Sequence, residues 1–132
     1  MATIIHLDTH AFVWLAAGEL DRFDPFVVPL LQQRGCASSP MVVLELDYLH
    51  EIERLKVSGT AIIQDLAAKI GLGMDGSSFA GIIAEAANLT WTRDPFDRII
   101  CATARVAGAP LLTKDGIILA NEPSAFWQRP PV

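Results

Sequence analysis

Short apolar runs alternate with helical periodicity along the 132 residues, which predicts an α/β domain with a mainly parallel sheet and helices on both faces. Residues 3–7 (Thr-Ile-Ile-His-Leu) are β-branched and apolar on both faces and end at Asp8, as a central strand does. Residues 109–113 (Ala-Pro-Leu-Leu-Thr) repeat the pattern and end at Lys114-Asp115-Gly116. Between them, capping residues stand repeatedly before stretches with apolar residues three and four apart.

The elements follow in order. Asp8-Thr9-His10 leads into a helix at 11–16 that Gly18 closes. Residues 26–34 form a second helix with Pro29 near its start, and 35–38 have weak strand character. Ser39-Pro40 is an N-cap followed by proline, and it opens a helix over 41–57. Met41, Val42, Leu46, Leu49, Ile52 and Leu55 form its apolar stripe, with Asp47, Glu51 and Arg54 on the solvated face. Gly59-Thr60 restarts a helix over 61–70, residues 71–74 suit a short edge strand, and Ser77 or Ser78 caps a helix over 79–87. Asp94 caps, and Pro95 opens, a helix that ends at Gly108. A last short strand is expected at 125–127, before a frayed Pro130-Pro131 end. No repeat or linker divides the chain, so residues 1–132 are read as one domain.

Composition narrows the function classes. With 52% apolar and 19% charged residues the chain is globular and not disordered. It has no uninterrupted apolar run of about 18 residues to span a membrane, and no basic-then-apolar leader is seen at its start. Cys36 and Cys101 form no CxxC and are expected as buried thiols in a reducing cytoplasm. The net charge of −5 argues against broad nucleic-acid binding through a basic surface. It leaves room for a nucleic-acid enzyme whose acids hold divalent cations, because the cations change the charge of the working site.

Four acids stand out. Asp8 and Asp115 follow strands, where an N-cap and an Asp-Gly turn explain them structurally. Glu45 has Met41, Val42, Tyr48 and Leu49 as its helical neighbours, so a carboxylate lies within an apolar stripe. Asp97 has Ile100, Cys101 and Ala104 at helical spacing, which puts it on the packing side of its helix. In a parallel sheet the carboxyl ends of the strands and the helix starts beyond them lie at one edge, so all four can converge there. Two carboxylates ~4 Å apart repel by roughly 4 kcal/mol at an effective dielectric of ~20. A cluster of them calls for protons or a cation, and oxygen-only ligation suits Mg²⁺ or Mn²⁺ over zinc. His6, His10 and His50 lack metal-ligand spacing and are read as ordinary strand or surface residues. Thr9, Ser39 and Thr113 stand where hydroxyls orient carboxylates, and Arg93, Arg98 and Lys114 where cations hold a phosphodiester backbone. That combination points to metal-assisted hydrolysis.

These residues resemble a known family. Ile5-His6-Leu7-Asp8-Thr9-His10, Ala37-Ser38-Ser39 through Glu45, Arg93-Asp94-Pro95-Phe96-Asp97-Arg98 with Ala102 and Ala104, and Leu111-Leu112-Thr113-Lys114-Asp115 are similar, in this order and spacing, to PIN domains. The resemblance is to the VapC-like ribonuclease toxins of bacterial toxin–antitoxin pairs and covers essentially the whole chain. It implies a three-layer α/β/α sandwich with a sheet of about five strands. It also implies a Mg²⁺- or Mn²⁺-dependent site that cuts single-stranded RNA, a homodimer, and a small VapB-like antitoxin whose C-terminal segment covers the site. Asp8, Glu45 and Asp97 match the core metal-binding acids, and Asp115 the more variable fourth. Asp94 matches an additional acid, and Thr9 and Thr113 match hydroxyl positions near the carboxylates. The segment after Glu45 (Asp47-Tyr48-Leu49-His50-Glu51) departs from the pattern by being more acidic.

Two other readings compete. A phosphate-accepting receiver-like domain wants paired acids after its first strand, where only Asp8 stands here. A non-catalytic PIN-like interaction module would be favoured by the loss of a core acid, and none is missing.

Overall fold

The computed structural model describes residues 4–131. Among these, five short strands form one sheet: β1 (Ile5–Leu7), β2 (Cys36–Ser38), β3 (Gly73–Met74), β4 (Leu111–Leu112) and β5 (Ala125–Phe126). The order is β3-β2-β1-β4-β5, and every pairing is parallel. Helices α1 (Thr9–Ala16), α2 (Val27–Arg34), α3 (Pro40–Glu51), α4 (Gly59–Ile70), α5 (Phe79–Ala86), α6 (Pro95–Ala107) and α7 (Gly116–Asn121) flank it, giving the expected α/β/α arrangement. The first expected strand begins at Thr3, which lies outside the described residues.

The strand order places the site. From β1 the chain steps outward through β2 to β3, then returns to β4 on the other side of β1. The carboxyl ends of β1 and β4 therefore meet at the point where the winding direction changes, which is where open α/β sheets leave a crevice. His6 is in register with Leu111 and Leu7 with Leu112, so Asp8 and Thr113 emerge side by side. Ile5, Leu7, Leu111 and Leu112 are fully buried, as a central pair covered on both faces requires. Trp127 packs edge-on to Trp14, with centroids 5.8 Å apart, and against Phe23 at 5.1 Å, closing the core on the β5 side.

Helix starts at Asp8, Ser39, Ser78 and Asp94 follow the capping chemistry read from the sequence. Each caps through a side-chain oxygen, as do Ser58 and Asp115, which the sequence reading does not mark as caps. Gly108 ends α6 in the left-handed conformation at φ 65°.

Four expectations need correction. The helix after Ser39 stops at Glu51 instead of near 57. Glu53 turns left-handed (φ 63°) without the glycine that normally signals such a stop, and Arg54 N donates back to Leu49 O at 2.8 Å. Asp47 is not a solvated residue, because its Oδ1 accepts from Gly59 N at 2.8 Å and ties α3 to the start of α4. A Cβ at Gly59 would meet that oxygen at 2.8 Å and Val43 O at 2.9 Å, so only glycine fits the contact. Asp115-Gly116 opens a helix, α7, where a turn was the local explanation. His6 is no ordinary strand residue: it is buried, with Nε2 3.6 Å from Asp75 Oδ2.

Another ionic group was not anticipated. Buried Glu122 receives Arg105 Nε at 2.8 Å and Nη2 at 3.0 Å, and Trp91 Nε1 at 3.2 Å. It fastens the end of α7 to α6 and to the α5–α6 loop. Both cysteines are buried free thiols, as expected. Among the described residues, no helix is long and apolar enough to cross a membrane.

Candidate functional site

Asp8 leaves β1 and caps α1. Its Oδ1 accepts from Thr9 N at 2.7 Å and its Oδ2 from Thr113 Oγ1 at 2.6 Å. The residue is 6% exposed, so burial raises its carboxyl pKa; the two hydrogen bonds oppose that rise, and nearby Asp115 adds to it. Thr9 carries the connection onward by donating its hydroxyl to Glu45 Oε1 on α3. Burial raises the Glu45 pKa, the Thr9 hydrogen bond offsets part of the rise, and the charges of Asp8 and Asp94 reinforce it. On the other side, Asp115 N donates to Thr113 Oγ1 at 3.0 Å. Thr113 thus joins the Asp115 backbone to the Asp8 carboxylate, and Thr9 joins Asp8, through its N–H, to Glu45, through its hydroxyl.

Asp97 completes the group from α6. Ile100, Cys101 and Ala104 on its side of the helix are all buried, which brings this face against the core and carries Asp97 to the strand ends. Burial pushes its carboxyl up to about 7, with further increments from Asp94, Asp8, Asp115 and Glu45. Five carboxylates from four elements therefore share one electrostatic neighbourhood. Asp94 and Asp115 each cap a helix through Oδ1 alone.

The accessory residues divide. Thr9 and Thr113 both hold carboxylates, whereas Ser39 caps α3 and receives the Thr103 hydroxyl. Arg98 is not a free rim cation, because its Nε donates to Thr92 O at 2.8 Å and holds the loop before α6. Arg93 is exposed. Lys114 Nζ lies 5.7 Å from the Trp14 ring centroid, and the Arg22 guanidinium 4.8 Å from it. Sequence spacing hinted at this second cationic patch only through His10 and Trp14, whose rings meet at a tilt one helical turn apart. A cavity of about 970 Å³ lies beside β5, lined by Pro110, Lys114, Phe126, Trp127 and Arg129 among others.

This geometry has counterparts among solved structures. The crystal structure of VapBC2 from Rickettsia felis bound to a DNA fragment from their promoter superposes with a TM-score of 0.67 and 18% identity, over 96% of this chain and 100% of that one. The chain has a VapC-like PIN fold. The structure of DNA-bound VapBC from Salmonella typhimurium gives a TM-score of 0.60 at 19% identity, covering 93% of this chain and 95% of that one. No protein-family model and no curated protein sequence matches the chain. In this PIN fold the acids lie at the carboxyl edge of the sheet, supplied by β1, α3, α6 and the end of β4.

The donor set has the chemistry of a hard-cation site. Its side chains offer carboxylate oxygens, and Asp97 is raised by burial and then by four like-charged neighbours. As the side chains stand, no three acid, histidine or cysteine groups among the described residues are close enough to enclose an ion.

Proposed function

We propose that the chain is a Mg²⁺- or Mn²⁺-dependent endoribonuclease that hydrolyses phosphodiester bonds of single-stranded RNA as the toxin of a toxin–antitoxin pair. The observation that supports this reading is the Asp97 carboxyl, pushed up to about 7 by burial first and then by the charges of Asp94, Asp8, Asp115 and Glu45. Carboxylates held together at this cost in a fold of this kind favour a cation-loaded site over a structural role.

Asp8, Glu45 and Asp97 would hold the ion, with Asp115 alongside and Asp94 chiefly capping α6. A divalent cation there supplies Lewis-acid stabilisation of the charge that builds on the phosphodiester. Thr113 and Thr9 fix the orientation of Asp8 and Glu45 through their hydroxyls. Arg93, with Lys114 and Arg22 on the Trp14 side, would hold flanking phosphates.

The partners follow from the same reading. The two similar structures are VapBC assemblies by their descriptions, which supports a VapB-like antitoxin for this chain. Phe79, 69% exposed, and Ile83 one turn later give α5 an apolar outer face suited to a second copy in a homodimer. The expected compartment is the cytoplasm, where both thiols stay reduced.

The deciding experiment is cleavage of single-stranded RNA with and without Mg²⁺ by the wild-type chain and by Asp8→Asn and Asp97→Asn. The expected result is metal-dependent cleavage lost in both variants. Equal cleavage by wild type and variants would overturn the reading and leave a non-catalytic PIN-like module.

A further inference from the structure

The rim of the acidic site carries an aromatic pair that the carboxylates do not use. Tyr48 on α3 lies one turn after Glu45, and Phe96 in the first turn of α6 lies between Asp94 and Asp97. Their rings stack with centroids 5.8 Å apart and planes 28° from parallel. Tyr48 is nevertheless 46% exposed, so the pair is open to solvent on the Tyr48 side. Tyr48 is the chain's sole tyrosine.

The surrounding charge limits what can approach. The chain carries a net −5, and α3 adds the exposed Glu51 one turn after Tyr48. Phosphates moving in along this side meet like charge, whereas an unpaired base meets a neutral aromatic face. Stacking of bases on aromatic rings is tolerant of sequence and independent of backbone charge. It requires bases that are unstacked and unpaired, as in single-stranded RNA.

We infer that the Tyr48–Phe96 pair is a base-stacking subsite, which receives an unpaired nucleobase next to the scissile phosphate and admits RNA past the acidic side of the site base-first. The inference rests on the nuclease reading above and deepens it. The subsite would select single strands over duplexes by needing a free base face, with Phe96 backing Tyr48 and holding its ring in place. Tyr48 binds substrate in this scheme and takes no part in the chemistry.

The test uses the full chain and RNA oligonucleotides carrying 2-aminopurine or an abasic nucleotide at successive positions. Binding to the Asp8→Asn protein is expected to quench 2-aminopurine at one or two adjacent positions. Tyr48→Ala should abolish that quenching and weaken binding about 5- to 50-fold, while Tyr48→Phe should retain both. In the cleaving wild-type background, Tyr48→Ala should raise KM and leave kcat within about twofold, as loss of uniform binding does. An abasic substitution at the quenched position should remove the difference between Tyr48→Ala and wild type. Asp8-dependent cleavage with an unchanged KM in Tyr48→Ala would overturn this inference and leave the nuclease reading standing. Absence of Asp8-dependent cleavage would overturn both. A Tyr48→Ala protein that changes from dimer to monomer by light scattering, with no 2-aminopurine quenched in the Asp8→Asn protein, would assign the ring to a protein interface and overturn it too.

Discussion

Thr113 Oγ1 donates to Asp8 Oδ2 at 2.6 Å and bridges the carboxyl ends of the two central strands at the crevice. The bond opposes the burial that raises the Asp8 pKa, so it favours the charged carboxylate that a cation needs. Thr113→Val keeps the shape and removes the donor. Expected outcomes are a loss of about 1–3 kcal/mol of stability, from leaving a buried acceptor without its partner, and a drop of about 10- to 100-fold in Mg²⁺ affinity or cleavage. Thr113→Ser should recover most of both. Denaturant melts and Mg²⁺ titrations of cleavage check this, and wild-type behaviour in Thr113→Val would remove the hydroxyl from the site.

Glu45 separates chemistry from folding. Its Oε1 accepts the Thr9 hydroxyl, a bond that the carbonyl of glutamine also accepts. Glu45→Gln should therefore fold normally by circular dichroism and melt no lower than wild type. Cleavage should fall by about three orders of magnitude, the several kcal/mol of a Lewis-acid centre at tenfold per 1.4 kcal/mol. An unfolded Glu45→Gln protein would make Glu45 structural, and an active one would exclude it from the cation site.

Much of this architecture was legible because local chemistry and tertiary placement agree. Asp94-Pro95 marks a helix start whatever surrounds it, and the burial of Ile100, Cys101 and Ala104 is what their spacing from Asp97 requires. Glu45 was legible as a carboxylate in an apolar stripe, a conflict that a site resolves. The end of α3 was not legible, since Glu53 takes the left-handed conformation in place of a glycine and the apolar spacing continues past it to Leu55. Helix α7 was hidden because Asp-Gly has the same local chemistry in a turn and at an N-cap. Contacts between residues far apart in the chain leave no local trace. The His6–Asp75 pair, the Arg105–Glu122 fork and the Tyr48–Phe96 stack are all of this kind.

The α5 face gives a prediction independent of the site. Phe79 and Ile83 are exposed one turn apart, while Ile82 and Ala86 on the other side are buried. Phe79→Glu should leave the fold intact and shift the chain from dimer to monomer by light scattering at micromolar concentration. A monomeric wild type, or a dimer unaffected by the charge, would place the dimer interface elsewhere or remove it.

Asp97 links pH to stability, and the sign follows from its raised pKa. The folded state holds a proton on Asp97 up to about pH 7, whereas the unfolded chain releases it near the ordinary aspartate value of 3.8. Between those values the folded state binds more protons, so stability of the metal-free protein falls as pH rises and levels off above about 7. Asp8 and Glu45 are shifted in the same direction and steepen the fall. Asp97→Asn removes one charge from the cluster and should stabilise the metal-free protein at pH 8 by about 1–2 kcal/mol once solvent screening is allowed for, or ~3–6 °C in Tm. Mg²⁺ should raise the wild-type Tm more at pH 8 than at pH 5, where a proton already occupies Asp97, and should move Asp97→Asn much less at pH 8. A wild-type Tm that rises with pH without metal, or a Mg²⁺ shift equal in both proteins, would contradict the assignment of Asp97 to a repelling, cation-ready cluster.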